Sequence, residues 1–308
     1  MSTKIKLFIA SLLYRIISIL GITKNRIIKR NGINYKVDLS EGIDLSIFLF
    51  GSFQSHVWKL TELKKEPEVI FDIGANIGSI SLPFAKNFSK SIVYAFEPTF
   101  YAFDKLNENL KLNPELKKRI IPIQVFLSDE VKEVSNQAVY SSWKVDGSKQ
   151  DHPIHGGILQ KATNKQITLD SFIKEEKLKA VDLIKIDVDG FELDILRGAS
   201  ETIDRFHPII VFEFMGHTGD STKLEFAKYS ELFEKKNYKL FESKSKIPLT
   251  VNNIEKNVPK YGGIDILSLT NSLRSFFSSS LSLICLSVGG LIWSDFFKNS
   301  AFHCRKTK

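Results

Sequence analysis

The body of this chain contains no cysteine. Its only cysteines, Cys285 and Cys304, lie late in the sequence. Upstream of them, a disulfide framework and a cysteine-based metal site are excluded, in agreement with a reducing compartment. No Gly-Lys-Ser/Thr stretch occurs, which removes a P-loop, and the dinucleotide fingerprint G-x-G-x-x-G is absent. Where it would fall, the positions read Gly74, Asn76 and Ser79. Residues 1–30 contain no acid and seven Lys or Arg, and residues 271–308 hold five basic residues and one acid. The net charge of +8 therefore belongs to the two ends and leaves the stretch between them at −3. A nucleic-acid enzyme carries its basic patch on the body, so no nucleic-acid partner is expected. Basic ends beside apolar stretches suit an anionic membrane surface instead.

What is present begins with VIFDIGANIGSISLPFAKNFSKSIVYAFEP, residues 69–98. An apolar run over 69–73 is followed by a Gly-rich turn, an amphipathic segment over 77–88 and a second run over 92–96. Strand, turn, helix and strand make a βαβ unit with parallel neighbours. Ligands of such sheets bind beyond the carboxyl ends of the strands, where Asp72 and Glu97 stand. Glycines let backbone and ligand approach closely, and an acid in the place of Glu97 can accept hydrogen bonds from ribose hydroxyls. The unit reads as a site for a nucleoside-bearing cofactor.

Helical and strand periods alternate through the remainder. Helices are expected over 101–112, from 169, over 191–203 and over 222–236. Strands are expected over 120–127, 181–186, 208–214, 238–241 and 263–269. This alternation argues for a mostly parallel, doubly wound α/β sheet. Residues 135–166 lose periodicity, hold Gly, Pro, His152 and His155, and read as a substrate lid. Residues 31–32, Asn-Gly between apolar runs, signal a hairpin. His56 and Trp58 could cover the edge of a pocket, although a lone His is more often a packing residue. Residues 4–22 have a helical apolar period with a narrow polar stripe of Lys4, Ser11, Arg15 and Ser18, which suits an interfacial helix or one packed on the body. Residues 275–294 carry no charge and are long enough to be a candidate span, though rich in serine. Three segments follow: 1–66 as helix and lead-in, 67–270 as the catalytic domain, and 271–308 as a tail. A cytoplasmic enzyme, held at a membrane by its ends, is expected.

D-x-G-x-N-x-G at Asp72, Gly74, Asn76 and Gly78 resembles motif I of the class I S-adenosylmethionine (SAM) methyltransferases, and Y-A-F-E-P resembles their motif II. The ordered series F-D-I-G-A-N-I-G-S, A-F-E-P, S-D-E, T-L-D-S-F, L-I-K-I-D-V-D-G-F-E, L-R-G-A and P-I-I-V-F-E over residues 65–270 resembles the FkbM-type branch of that group. The resemblance implies a Rossmann-like seven-stranded sheet with the last strand antiparallel. It also implies SAM as cofactor and O-methylation, often of sugar hydroxyls. It places Gly74, Asn76 and Gly78 at the methionine portion, Glu97 at the ribose, and Ser128 and Asp129 near the adenine. Asp72 would fix the turn or meet the amino group. Asp187 ends the central strand and is the first candidate for the base that activates an alcohol. Lys185 projects to the same face two residues earlier, and Asp189, Glu192 and Glu213 could orient acceptor hydroxyls. His152 and His155 are alternative bases. A hard cation held by Asp187, Asp189 and Glu213 is a further option, less favoured than hydrogen-bonded acids, so no metal ligand is assigned. The competing readings are a SAM-binding module without chemistry, a methyltransferase of a small natural product, and a Rossmann oxidoreductase.

Overall fold

A computed structural model describes residues 3–60, 62–63, 65–134, 138–146, 157–216, 220–259 and 262–271. The chain divides into two compact units, Met1–Thr270 and Asn271–Lys308. Apart from Asn271, the tail lies outside the described residues, and with it the candidate span. Among the described residues no helix is long and apolar enough to cross a membrane.

The first unit opens with helix α1 (Thr3–Ile19), then the hairpin β1 (Asn25–Arg30) and β2 (Ile33–Asp38). Asn31 and Gly32 connect the hairpin with φ of 49° and 72°, the left-handed pair that a two-residue turn requires. Helices α2 (Gly42–Phe50) and α3 (Ser55–Trp58) follow. Next come β3 (Val69–Ile73), α4 (Ser81–Asn87), β4 (Ile92–Phe96), α5 (Phe100–Lys111), α6 (Pro114–Lys117) and β5 (Ile120–Ile123). Short strands β6 (Phe126–Leu127), β7 (Lys132–Glu133), β8 (Ala138–Trp143), β9 (Gly157–Lys161) and β10 (Lys165–Ile167) intervene before α7 (Leu169–Glu175). Then come β11 (Leu183–Ile186), α8 (Glu192–Arg197), α9 (Ser200–Phe206), β12 (Ile209–Met215), α10 (Asp220–Lys235), β13 (Tyr238–Glu242), α11 (Ile254–Asn257) and β14 (Gly263–Thr270).

Seven of these strands form the central sheet in the order β13-β14-β12-β11-β3-β4-β5. β14 is antiparallel to both its neighbours, and the pairings from β12 to β5 are parallel. From β3 the chain runs outward to β4 and β5, then returns to the other side of β3 for β11 and β12. Strand order thus reverses between β3 and β11, and the crevice beyond their carboxyl ends is where such sheets bind ligands. Both strands are covered on both faces, which is why they read as apolar runs interrupted only by Asp72 and Lys185, which pair with each other. Phe71 packs edge-on against Tyr94, Phe96 and Phe172 at 5.5, 5.5 and 6.1 Å, a favourable arrangement for aromatic rings.

Four expectations are revised. The strand over 120–127 is two strands, because β6 leaves the central sheet to pair with β10. Pro122 sits in β5, at the sheet's edge. Val93 N and Glu97 N donate to Arg119 O and Ile123 O, so odd-numbered residues face β4 and Pro122 faces the free side, where its missing N–H leaves no broken ladder. The helix over 191–203 is broken into α8 and α9. A Cβ on Gly198, at the break, would lie 2.0 Å from Ser128 O, so chain packing demands glycine there. Asp170 then caps α9, accepting from Glu201 N and Thr202 N at 2.9 and 2.8 Å. The helix over 77–88 starts only at Ser81, since residues 74–80 are a turn. The supposed lid over 135–166 is not structureless: β8 and β9 pair as an antiparallel hairpin. Its strands carry the β-formers, while Gly147, Pro153 and Gly156 fall between them, outside the described residues, and Gly157 opens β9.

Residues before 67 belong to the same compact unit as the sheet. Their join is a buried charge network. Lys105 Nζ reaches Glu41 Oε2 at 2.8 Å and Asp44 Oδ2 at 2.7 Å, while Lys144 Nζ reaches Glu41 Oε1 at 2.7 Å and Asp38 Oδ2 at 3.1 Å.

Candidate active site

The turn after β3 is built on left-handed backbone at Gly74 (φ 78°), Asn76 (48°) and Gly78 (85°). Gly74 is required twice over: besides its φ, a Cβ there would stand 1.9 Å from Asp187 O. Asn is among the few residues with a side chain that enter the left-handed region readily, and Asn76 Oδ1 accepts from Ile77 N at 2.9 Å. That explains how an asparagine fills a place where a glycine is common. Asn76 N donates to Glu97 Oε2 at 3.0 Å. Glu97 Oε1 accepts from Thr99 N and Thr99 Oγ1 at 2.9 and 2.5 Å. Burial pushes the Glu97 carboxyl up, opposed by these hydrogen bonds. The carboxylate thus fixes the turn after β3 and the start of α5 together.

Beyond this turn lies a cleft whose empty space, its open mouth included, is about 550 Å³. Val125, Phe126, Leu127, Val139, Phe191 and Ile195 form an apolar wall, with Phe126 and Phe191 edge-to-face at 5.0 Å. Gly74, Asn76, Glu97, Asp187 and Asp189 supply the polar end. Ser128 and Asp129, expected near an adenine, lie just past this wall: Leu127 lines it, Ser128 is buried and Asp129 faces solvent. Asp72 lines neither this cleft nor its neighbour. It is fully buried beneath the turn, bonded to Ser81 Oγ, with Lys185 Nζ 3.3 Å away.

A second, larger cleft of about 2370 Å³ adjoins the first. Gly74, Asn76, Asp187 and Asp189 line both. On the far side its floor is acidic, with Glu213 and Asp265. Asp187 N donates to Ile73 O at 3.1 Å, and Asp187 Oδ2 accepts from Gln54 Nε2 at 3.1 Å. Lys185 is not free to meet an acceptor. Its ammonium bonds Gly74 O at 3.0 Å and lies between Asp72 at 3.3 Å and Asp187 at 3.8 Å. Burial lowers its pKa, but those two acids outweigh burial and raise it. Glu192 turns back on its own loop, accepting from Val188 N and Gly190 N at 3.1 Å each. Burial drives its pKa to about 7. Asp189, in left-handed backbone at φ 52°, lines both clefts and is exposed at their shared wall, with protein packed around it. Desolvation, then Asp187 and Glu192, push it to about 7. Glu213 is raised well above the carboxylate range, by burial first and by Asp187 next.

Gln54 carries no local signal in the sequence, whereas His56, read as a residue that could cover a pocket edge, does line the larger cleft. Gln54 precedes α3 in a left-handed conformation, and His56 Nε2 lies 2.5 Å from Asp265 Oδ2 at the wall of the larger cleft. Trp58 is buried. His152 and His155 fall outside the described residues. Among the described residues no group of three or more His, Cys, Asp or Glu is arranged to hold a metal ion.

A family model described as the methyltransferase FkbM domain matches residues 72–240. Hexuronic acid methyltransferase AglP of Haloferax volcanii is 30% identical over 158 residues, 49% of this chain and 58% of that protein. 2-O-methyltransferase NoeI of Sinorhizobium fredii is 27% identical over 168 residues, 50% of this chain and 66% of that one. The chain therefore spans less than two thirds of these relatives. A crystal structure of methyltransferase FkbM from Methylobacillus flagellatus covers 70% of this chain and 47% of its own, at 16% identity and a TM-score of 0.46.

Proposed function

The chain belongs to the methyltransferase FkbM domain family, and from that premise we propose that it is a SAM-dependent O-methyltransferase acting on a sugar hydroxyl. The observation that carries this reading is the shared wall: Gly74, Asn76, Asp187 and Asp189 face the smaller cleft on one side and the larger cleft on the other. A donor in the first can present its reacting end to an acceptor in the second. The residues of the smaller cleft suit SAM. An apolar slot with an aromatic pair takes a flat base, a buried carboxylate at the end of β4 suits ribose hydroxyls, and the acid-bearing polar end suits a cationic sulfonium and ammonium. When bound, SAM supplies a methyl carbon that the acceptor oxygen displaces from sulfur, the C–S electron pair remaining on a neutral thioether.

The chain's own part is positioning and proton transfer. Holding two reactants in line is worth roughly 7–11 kcal/mol. Asp187 accepts the hydroxyl proton as the new C–O bond forms. Gln54 orients its carboxylate, and Lys185 holds the Gly74 turn against the end of β11. Glu213, whose carboxyl burial raises well above its usual range, lines the larger cleft where a neighbouring sugar oxygen would lie. The names of the relatives, a hexuronic acid methyltransferase and a 2-O-methyltransferase, support a carbohydrate acceptor. Calorimetry with SAM, followed by mass detection of methylated sugars from hexuronic acids and glycan pools, tests the reading. Glu97→Ala is expected to weaken SAM binding by about 1.5–3 kcal/mol through loss of a charge-assisted hydrogen bond. Unchanged affinity in that variant removes Glu97 from the cofactor site.

A further inference from the structure

Helix α1 is apolar on nearly every face, a pattern that belongs to a buried helix or to one in contact with lipid. The structure buries only part of it. Ile17 is 6% exposed against the body, whereas Phe8, Leu12, Ile16 and Ile19 are 70%, 49%, 46% and 84% exposed. These four recur at helical spacing and form one outward stripe. Leu20, just beyond the helix, is 69% exposed, and Ile27 on the following strand β1 is 63% exposed. Exposed apolar surface of this extent marks an interaction site. The segment is one-signed: residues 1–30 carry seven cationic side chains and no acid, and Arg15 on α1 and Lys29 on β1 are exposed.

The same helix is a rim of the larger cleft. Ile9, Ala10 and Leu13 line it, one residue, or about 100°, round the helix from the outward stripe. Ile43, Leu49, Phe50 and Phe53 continue that lining, Phe50 being 73% exposed. The cleft is thus two-natured, apolar along α1 and α2 and acidic at Asp187, Asp189 and Glu213. A free sugar has no use for the apolar part.

We propose that α1 docks in the interface of an anionic phospholipid bilayer, and that the larger cleft takes an amphiphilic acceptor whose sugar reaches the acidic floor while its hydrocarbon chain lies along α1 and α2. The second half rests on the methyl-transfer reading; the first does not. Apolar side chains entering the acyl boundary and cations against lipid phosphates are the two attractions that hold an interfacial helix.

Flotation of the full chain with vesicles tests the surface, using phosphatidylcholine alone against equal parts phosphatidylcholine and phosphatidylglycerol. The protein is expected to float with the anionic vesicles and remain behind with the neutral ones. The double variant Leu12→Asp, Ile16→Asp, on the solvent face, should lose on the order of tenfold or more in partitioning while SAM affinity is unchanged. Equal partitioning of variant and wild type, or none to anionic vesicles, overturns the docking. For the acceptor, binding of dodecyl glucoside below its micelle concentration is compared with methyl glucoside. Dodecyl glucoside should bind on the order of tenfold more tightly, and Phe50→Asp should erase that advantage. Equal affinity of the two glucosides overturns the amphiphile half. SAM binding and methylation of free sugars report on the methyl-transfer reading by themselves, so their failure is distinguishable from failure at the membrane.

Discussion

Asp187 and Glu192 stand five positions apart but hold different chemical situations. Asp187 has its carboxylate at the wall between two clefts, with Gln54 as a hydrogen-bond donor. Asp187→Asn keeps size and hydrogen bonding but cannot take a proton, so turnover is expected to fall by about 10²–10⁴-fold with SAM affinity retained; single-turnover methyl transfer measures it, and undiminished turnover moves the base elsewhere. Glu192 is 5% exposed and serves its own loop. Its folded pKa, about 7, is raised above the unfolded carboxylate value by burial. The folded state therefore binds the proton more tightly between those two values, and this group's contribution to stability is lost as pH rises through about 7. Glu192→Gln removes that titration. Thermal melts of the variant should show a weaker loss of stability from mildly acid to mildly alkaline pH than the wild type does, and parallel curves would remove Glu192 as the source.

At the level of elements, close approach rather than propensity decides where helices stop. Gly198 has ordinary helical φ, −72°, so strain is not its reason. The 2.0 Å that a Cβ would leave to Ser128 O is. Gly198→Ala must push β6 away from the α8–α9 break, at an expected cost of about 1–3 kcal/mol, as overpacking does. Urea unfolding measures this, and a neutral result would mean that the two segments part freely. The same contact joins two distant sequence pieces, T-L-D-S-F and L-R-G-A: Asp170 N donates to Gly198 O at 2.9 Å, and the Asp170 carboxylate caps α9.

On the scale of the whole molecule, residues before 67 are bound to the sheet domain by the network around Lys105. Asp44 is fully buried, and burial pushes its carboxyl to about 6 although Lys105 pulls it down. Lys105→Ala leaves Asp44 and Glu41 short of a cation, and breaking a buried pair in this way costs about 3–5 kcal/mol. Chemical denaturation should show that loss, with the N-terminal hairpin gaining amide exchange first. The centre of the molecule was legible in the sequence because its signals are local: Gly74, Asn76 and Gly78 sit within one turn, and Glu97 ends the next strand. Gln54 with Asp187 and His56 with Asp265 meet across 133 and 209 residues, and no periodicity announces a pair so far apart. The surroundings of Lys185 were legible only in part for a related reason. Its strand position is readable, but the carbonyls that occupy its ammonium belong to another strand. Finally, the free side of β5 governs how these molecules treat one another in concentrated solution. A sheet margin with bare donors invites a second chain to zip alongside and polymerise. Here the margin is four residues long, and Pro122, on its outer side, offers a ring in place of a donor. An arriving strand would lose the middle rung of its ladder, so the sheet is blunted against edge-to-edge stacking on this side by a single imino acid.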